Sequence, residues 1–249
     1  MNWEESVEWL KKQPGRQKLI RDCFFDDPLE KAAERYWKST EWKDVVKYLP
    51  EKKGGVLDIG AGRGISSFAF AKDGWTVTAL EPDPSNAVGA GAIKKLISEN
   101  NLNIKIIEEW GEKLPFEDAS FDLVYMRQVL HHAKDLAGFC KEAGRVLRSG
   151  GLFIATREHV IFKKADLPIF LAKHPLHKLY GGENAFLLEE YKKAIENSNI
   201  KLEHVLNTFE SDINLYPQRN KYIPKTIARA MGKIFKQPGM IYSFIGRKI

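Results

Sequence analysis

Three groups of residues in this 249-residue chain have the types and spacing for chemistry. The first is the run Val56-Leu57-Asp58-Ile59-Gly60-Ala61-Gly62-Arg63-Gly64, a short apolar stretch that ends in a glycine-rich turn. Glycines serve such turns because the backbone must take positive φ or approach a ligand that a Cβ would obstruct. Ile65 to Ala71 follow with the apolar spacing of a helix opening, which presents free N–H groups and a positive dipole end to the turn. The second group is Glu81-Pro82, with the acid 21 residues after Gly60. A carboxylate there can accept hydrogen bonds from both hydroxyls of a ribose. The third group is histidine: His131-His132, His159, His174 and His177. Imidazole is the side chain best suited to remove a proton near neutral pH. His159 is the first candidate for such a base and His132 the second; the other reading of the His131-His132 pair is a helix-start cap that packs. His174 and His177 are separated by Pro175, which favours a loop, and they have no third ligand nearby, so no metal site is expected.

The elements that must position these groups alternate from residue 54 onward. Val56–Ile59, Thr76–Leu80, Ile104–Ile107, Phe121–Met126 and Leu152–Thr156 read as strands, and Ile65–Lys72, Ala87–Glu99 and Leu136–Leu147 as the helices between them. Such alternation implies parallel βαβ units, whose right-handed crossovers bring the strand C-termini to the edge where ligands of open α/β sheets bind. The glycine turn, Glu81, His131-His132 and His159 then fall on one edge, with His159 just past the fifth strand. Before this core, residues 1–53 read as a helical segment, with Trp3, Val7 and Leu10 at helix spacing and a break at Pro14-Gly15. Leu29–Tyr36 and Trp42–Leu49 give two more amphipathic stretches, the second capped by Ser39 or Thr40. Tyr36, Trp37 and Trp42 either cover a ligand pocket or pack the helices onto the sheet. After the core, residues 157–187 break the rhythm and read as an insertion. Residues 188–249 complete the sheet with a helix over Glu189–Asn197, a strand over Ile200–Thr208, a basic helix near Lys225–Phe235 and a strand over Met240–Ile245. The whole reads as a single domain.

A hydrophobic content of 43% is that of a globular chain able to bury a sizeable core. No apolar run approaches the ~20 residues that span a bilayer, and the acidic, amphipathic start Met1-Asn2-Trp3-Glu4-Glu5 is unlike a secretory signal. Cys23 and Cys140 are far apart and lack partners at metal spacing, which fits thiols in a reducing compartment and a cytoplasmic protein. The net charge of +6 is uneven. No acid follows Asp212, while Arg219, Lys221, Lys225, Arg229, Lys233, Lys236, Arg247 and Lys248 do. This region reads as a solvated basic face, the alternative being contact with a membrane surface, a nucleic acid or an anionic substrate. The oligomeric state is not readable.

The glycine pattern separates two nucleotide-binding families. The dinucleotide fingerprint is G-x-G-x-x-G; here it is G-x-G-x-G, with Ile65 where the third glycine belongs and Asp58 two positions before the first. With Glu81, the stretch resembles motif I of the class I S-adenosylmethionine (SAM)-dependent methyltransferases, of the methyltransferase type 11-like kind. Three further segments extend the resemblance over roughly residues 54–157: Trp110-Gly111-Glu112-Lys113-Leu114-Pro115-Phe116, then Arg127-Gln128-Val129-Leu130-His131-His132, then Arg145-Val146-Leu147-Arg148-Ser149-Gly150-Gly151-Leu152. The resemblance implies a Rossmann-like α/β fold, doubly wound, with a mostly parallel seven-stranded sheet, one antiparallel strand at the end and helices on both faces. It implies SAM as cofactor and S-adenosylhomocysteine as product. The residues it assigns to the cofactor are Asp58, Gly60, Ala61, Gly62, Gly64, Glu81, Pro82, Trp110, Gly111, Glu112 and Arg127, the last beside the methionyl part. The chain departs from the family where Trp110 replaces the acid that takes the adenine amino group and Gly111 replaces alanine. Stacking of Trp110 on the base, or an amino contact from Glu112, would substitute.

The insertion is the expected acceptor-binding element, because in this fold the stretch after the fifth strand commonly covers the acceptor. Arg157, Glu158, His174, His177, Tyr180 and Asn184 are its candidates, since such groups suit a polyhydroxylated acceptor or the phosphates of a sugar nucleotide. The wording of the insertion also resembles a subgroup of bacterial methyltransferases associated with surface polysaccharide or sugar modification. The expected activity is therefore methyl transfer to a small molecule, a sugar or glycan-linked hydroxyl. A nucleic-acid methyltransferase is a second reading, weakened by the absence of an Asn/Asp-Pro-Pro-aromatic tetrad. A third is a SAM-binding sensor or complex subunit without catalysis.

Overall fold

A computed structural model describes residues 1–215, 217 and 224–249. Four helices open the chain: α1 (Trp3–Lys11), α2 (Gln17–Asp22), α3 (Leu29–Trp37) and α4 (Thr40–Val46). Asn2 caps α1 by accepting from Glu5 N–H, and the Glu5 side chain reaches back to the Asn2 N–H. Ser39 caps α4 through the N–H of Trp42. Then come β1 (Gly55–Ile59), α5 (Ile65–Lys72), β2 (Thr76–Leu80), α6 (Ala90–Asn100), β3 (Ile104–Ile107), β4 (Phe121–Arg127) and α7 (Leu136–Val146). The chain continues through β5 (Leu147–Ile161), α8 (Asp166–Lys173), α9 (His177–Tyr180), β6 (Phe186–Leu187), α10 (Leu188–Glu196), β7 (Ile200–Leu206), α11 (Asp212–Leu215), α12 (Lys225–Ile234) and β8 (Met240–Lys248).

The strands lie in the order β3-β2-β1-β4-β5-β8-β7, with the two-residue β6 beside the end of β5. Pairs along β3-β2-β1-β4-β5 are parallel, while β8 is antiparallel to both β5 and β7. The last strand of the chain is thus the antiparallel one, inserted second from the edge. Strand alternation divides the sheet residues between two cores. Val56, Val77, Leu123 and Tyr125 join α3, α5 and α6 on one face, and Leu57, Leu80, Val124 and Met126 join α7 and α10 on the other.

Tyr36, Trp37 and Trp42 fasten the N-terminal helices to the first of these faces. The Tyr36 hydroxyl lies 2.9 Å from that of Tyr125, and the Trp37 and Trp42 indoles both donate to Asp73 at the end of α5, at 2.8 and 2.9 Å. Of the two roles open to these rings, they perform the packing one.

The main departure from the sequence pattern is in β5. It does not end at Thr156 but runs to Ile161, because Glu158, His159 and Val160 remain paired with Tyr242, Ile241 and Met240 of β8. The register slips between Ala155 and Glu158, and Arg157 takes φ +60, so the strand carries a bulge that re-aims the side chains beyond it. Arg219 and Lys221 of the basic region lie outside the described residues. Among the described residues, no helix is long and apolar enough to cross a membrane.

Candidate functional site

A cavity of about 880 Å³ opens at the C-terminal ends of the parallel strands, in the size range of small-molecule sites. One end is floored by the glycine turn. Gly60 and Gly62 take φ +64 and +54, and together with Ala61 they line the cavity with backbone. A Cβ on Gly60 would come within 2.6 Å of Val129 Cγ2, so that position needs both the torsion and the missing side chain. Behind the turn, Asp58 is buried and accepts from the hydroxyls of Ser66 and Ser67, at 2.7 and 2.6 Å. It does not line the cavity, nor does Gly64, whose missing Cβ instead makes room for Ile93. Asp58 therefore holds α5 against β1 from below the turn. Burial pushes its carboxyl up to about 6, against the pull of the two serines.

Glu81, Pro82, Trp110, Gly111, Glu112 and Arg127 all line the cavity. The Glu81 carboxylate accepts from Gly62 N–H at 2.7 Å and Asp83 N–H at 3.0 Å, which leaves acceptor capacity for a diol. Burial raises it to about 7, the two N–H groups opposing and the charges of Asp83 and Asp58 assisting. A buried acid facing an exposed-backbone cradle fits an adenosyl cofactor. Trp110 stands on the rim, 69% exposed, free to cover a flat ligand.

Arg127, expected beside the methionyl part of the cofactor, lines the cavity but is held from behind. Its guanidinium is gripped by Glu41 of α4 through Nε and Nη2 at 2.7 and 3.1 Å, and Nη1 donates to Gln128. Glu41 itself is fully buried. Burial opposes the Arg127 charge, and Glu41 more than offsets this, so the group stays ionised. No sequence signal in the N-terminal helices marked Glu41 as its partner.

The opposite end of the cavity is lined by His131, His132, His159, His174, Tyr180, Glu183 and Asn184. His131 Nδ1 lies 2.7 Å from Glu158 Oε2 and its Nε2 3.5 Å from Glu183 Oε2. Glu158 also accepts the N–H groups of Val129 and His131, which fixes the turn after β4. Burial works against the charged form of His131, but the two carboxylates outweigh it and raise the group to about 9. Glu183, despite burial, is held down to about 2 by His131 and its neighbouring histidines. His159 packs against His131 with ring centroids 4.7 Å apart and is held well below the usual range, by burial first and then by the His131 charge. His132 Nδ1 donates to Gly182 O at 2.9 Å.

Three of the residues expected at the acceptor do not reach it. Arg157 sits at the bulge of β5 and turns away from the cavity, donating to Ile213 and Asn214 carbonyls. Glu158 is buried behind His131 rather than exposed to a ligand, and His177 begins α9 outside the lining. His159 likewise sits within β5, not past it, and its strand pairing fixes the ring's position. The residue that sequence reasoning passed over is Glu183. It was legible only as part of the Gly181-Gly182-Glu183-Asn184 turn, and its contact with His131 depends on the path of the whole insertion.

The roof comes from the N-terminal helices and the insertion after β5. Trp3, Leu19, Cys23, Phe24 and Phe25 line the cavity from α1, α2 and the loop that follows, and the Trp3 ring lies 4.8 Å from that of Tyr180. Leu10, Ile20 and Leu176 form a small apolar cluster there, apart from the two cores. Arg63 of the glycine turn ties the roof down, donating to the Phe24 and Asp26 carbonyls and to the Asp27 carboxylate.

With this geometry in view, residues 57–155 match a family of methyltransferase domains. A ubiquinone biosynthesis O-methyltransferase from Methylocella silvestris is 33% identical over 52% of this chain and 50% of its own length, so the chain spans about half the length of that relative. A demethylmenaquinone methyltransferase from Chlorobaculum tepidum is 27% identical over 76% of this chain and 84% of its own. Among solved structures, YcgJ from Bacillus subtilis is similar in fold, with a TM-score of 0.60 over 84% of this chain and 97% of its own at 19% identity.

Proposed function

Since the chain belongs to the class I SAM-dependent methyltransferases, we propose that it transfers a methyl group from SAM to a hydroxyl of a small polar acceptor, a sugar or glycan-linked molecule. The observation that carries the reading is the continuity of one cavity from the glycine turn and Glu81 to the histidine cluster. Such continuity lets two ligands meet end to end under one roof. When bound, SAM supplies a methyl already activated on a sulfonium, so the protein's contribution is positioning, exclusion of water and removal of the acceptor proton.

The backbone of Gly60–Gly62 and the Glu81 carboxylate hold the adenosyl end, with Trp110 over the base. His159 takes the proton of the acceptor hydroxyl as its oxygen bonds to the methyl, and His132 is the second candidate. His174, Tyr180 and Asn184 orient the acceptor by hydrogen bonds. The polar character of this end supports a polyhydroxylated acceptor. Incubation with labelled SAM and a panel of nucleotide sugars and glycan precursors tests the reading: label in a sugar supports it, and label in a phenol alone overturns the acceptor class.

That phenol is the second reading, favoured by the similarity to ubiquinone-biosynthesis O-methyltransferases. It keeps the same cofactor end and the same base. Cys23 and Cys140 are both free thiols, which supports a cytoplasmic setting. On α12 and just beyond it, Ile227, Ile234 and Phe235 are exposed near Arg229 and Lys236, which supports a surface contact through the basic region.

A further inference from the structure

The acceptor end of the cavity gathers three side chains, of which methyl transfer by itself uses only His159 and leaves His131 and Glu183 without a role. One donor atom from each of His131, His159 and Glu183 lies within 4.8 Å of the other two, and all three residues are buried. They arrive from three separate elements, the turn after β4, the extended end of β5 and the loop after α9. We propose that His131, His159 and Glu183 bind one divalent transition-metal ion at the acceptor end of the cavity.

The surroundings prepare both imidazoles as ligands. His131 Nδ1 is hydrogen-bonded to Glu158 at 2.7 Å, which leaves Nε2 on the side of Glu183, where the entering ion replaces the Nε2 proton and releases it to solvent. His159 Nδ1 faces the Gly239 carbonyl at 3.4 Å, and as donor to it leaves Nε2 with the lone pair. A metal-binding histidine characteristically donates its other N–H to a carboxylate or carbonyl in this way. Tyr191 adds a further brace, its hydroxyl donating to the His159 carbonyl at 2.9 Å.

The donor set also selects the ion. Two imidazoles and one carboxylate suit Zn²⁺, Fe²⁺, Co²⁺ or Ni²⁺, whereas Mg²⁺ and Ca²⁺ prefer oxygen throughout. Ligand atoms around Zn²⁺ at about 2.1 Å stand about 3.4 Å apart in a tetrahedron. The His131–Glu183 separation of 3.5 Å already meets this, and no pair of donors in the group stands more than 4.8 Å apart. Three protein ligands leave an open position toward the cavity, the arrangement of ions that bind a substrate oxygen.

The site deepens the methyltransferase reading and rests on it only for what the ion would hold, namely an oxygen of the acceptor. His159 cannot be both ligand and base, so with the ion in place the hydroxyl proton passes to His132.

The test is calorimetric titration of the chelator-treated full-length protein with Zn²⁺ alone, with Mg²⁺ alone, and with S-adenosylhomocysteine. The expected result is one Zn²⁺ site and no Mg²⁺ site. The substitutions Glu183→Gln and His159→Gln each weaken Zn²⁺ by more than the roughly tenfold to hundredfold that loss of an outer partner costs, and leave S-adenosylhomocysteine affinity within about threefold. Two variants are used so that a folding defect in one does not decide the matter. No Zn²⁺ binding, or binding that both variants retain, overturns the metal site while leaving the methyltransferase reading intact. Zn²⁺ binding without S-adenosylhomocysteine binding supports the metal site and removes the cofactor reading instead.

Discussion

Glu81 at the end of β2 accepts the N–H of Gly62 at 2.7 Å, so the acid and the glycine turn form one surface. Its carboxyl, raised to about 7 by burial first and by Asp83 and Asp58, must be ionised to accept both ribose hydroxyls. Binding therefore releases a proton wherever Glu81 is protonated in the free protein. S-adenosylhomocysteine affinity is expected to be constant above about pH 7.5 and to fall by up to about tenfold per pH unit below 7. Calorimetry from pH 5.5 to 8.5 checks this, and a profile as flat as that of Glu81→Gln contradicts it.

Glu41 and Arg127 form a buried pair between α4 and β4. Removing one partner strands the other charge, so Glu41→Ala is expected to cost about 3–5 kcal/mol, whereas Glu41→Leu combined with Arg127→Met restores most of that loss. Urea unfolding of the wild type and the two variants reads the result. A double variant no more stable than Glu41→Ala would show that the pair itself, rather than the orphaned charge, sets the cost.

Asp58 gives a pH dependence of opposite use. Its folded-state pKa of about 6 stands above its ordinary 3.8 because of burial. The protonated folded form is therefore favoured, and that stability is complete below about pH 3.8 and lost as pH rises through about 6. Asp58→Asn has no such loss. Relative to wild type, the variant should gain roughly 2.4 kcal/mol between pH 4 and pH 7. Urea midpoints at the two pH values measure it, and an unchanged difference refutes the assignment.

Gly60→Ala places a methyl at φ +64 and within 2.6 Å of Val129. The torsion alone costs about 1–2 kcal/mol, and the clash displaces the turn that lines the cavity. Expected is a lowered unfolding temperature together with loss of S-adenosylhomocysteine binding. Gly74→Ala, at φ +86 with open space around it, should lower stability by a similar torsional amount and leave binding alone.

Much of this arrangement was readable because it is local. The glycine turn, Glu81 and the alternating strands each depend on residues close together in sequence, so periodicity and spacing suffice for them. The extension of β5 is different, since nothing within Arg157–Ile161 states that β8, some eighty residues later, will pair with it. The same holds for Glu41 with Arg127 and for Glu183 with His131, contacts made across 86 and about 50 residues of chain. A carboxylate in a helix or a turn reads as a solvated charge until the fold supplies its buried partner. Arg157 and Glu158 illustrate the converse: their types suit ligand binding, but the bulge in β5 points one at α11 and the other at the base of His131.

The roof seam at Trp3 and Tyr180 has a kinetic meaning. It is closed by three buried aliphatic side chains and a few rings, far less apolar contact than either face of the sheet, and local opening free energy follows such contact. Amide hydrogens of α1, α2 and α9 should therefore trade with deuterium orders of magnitude faster than those of β1 and β4. Bound molecules enter and leave on that faster clock, without the sheet ever melting.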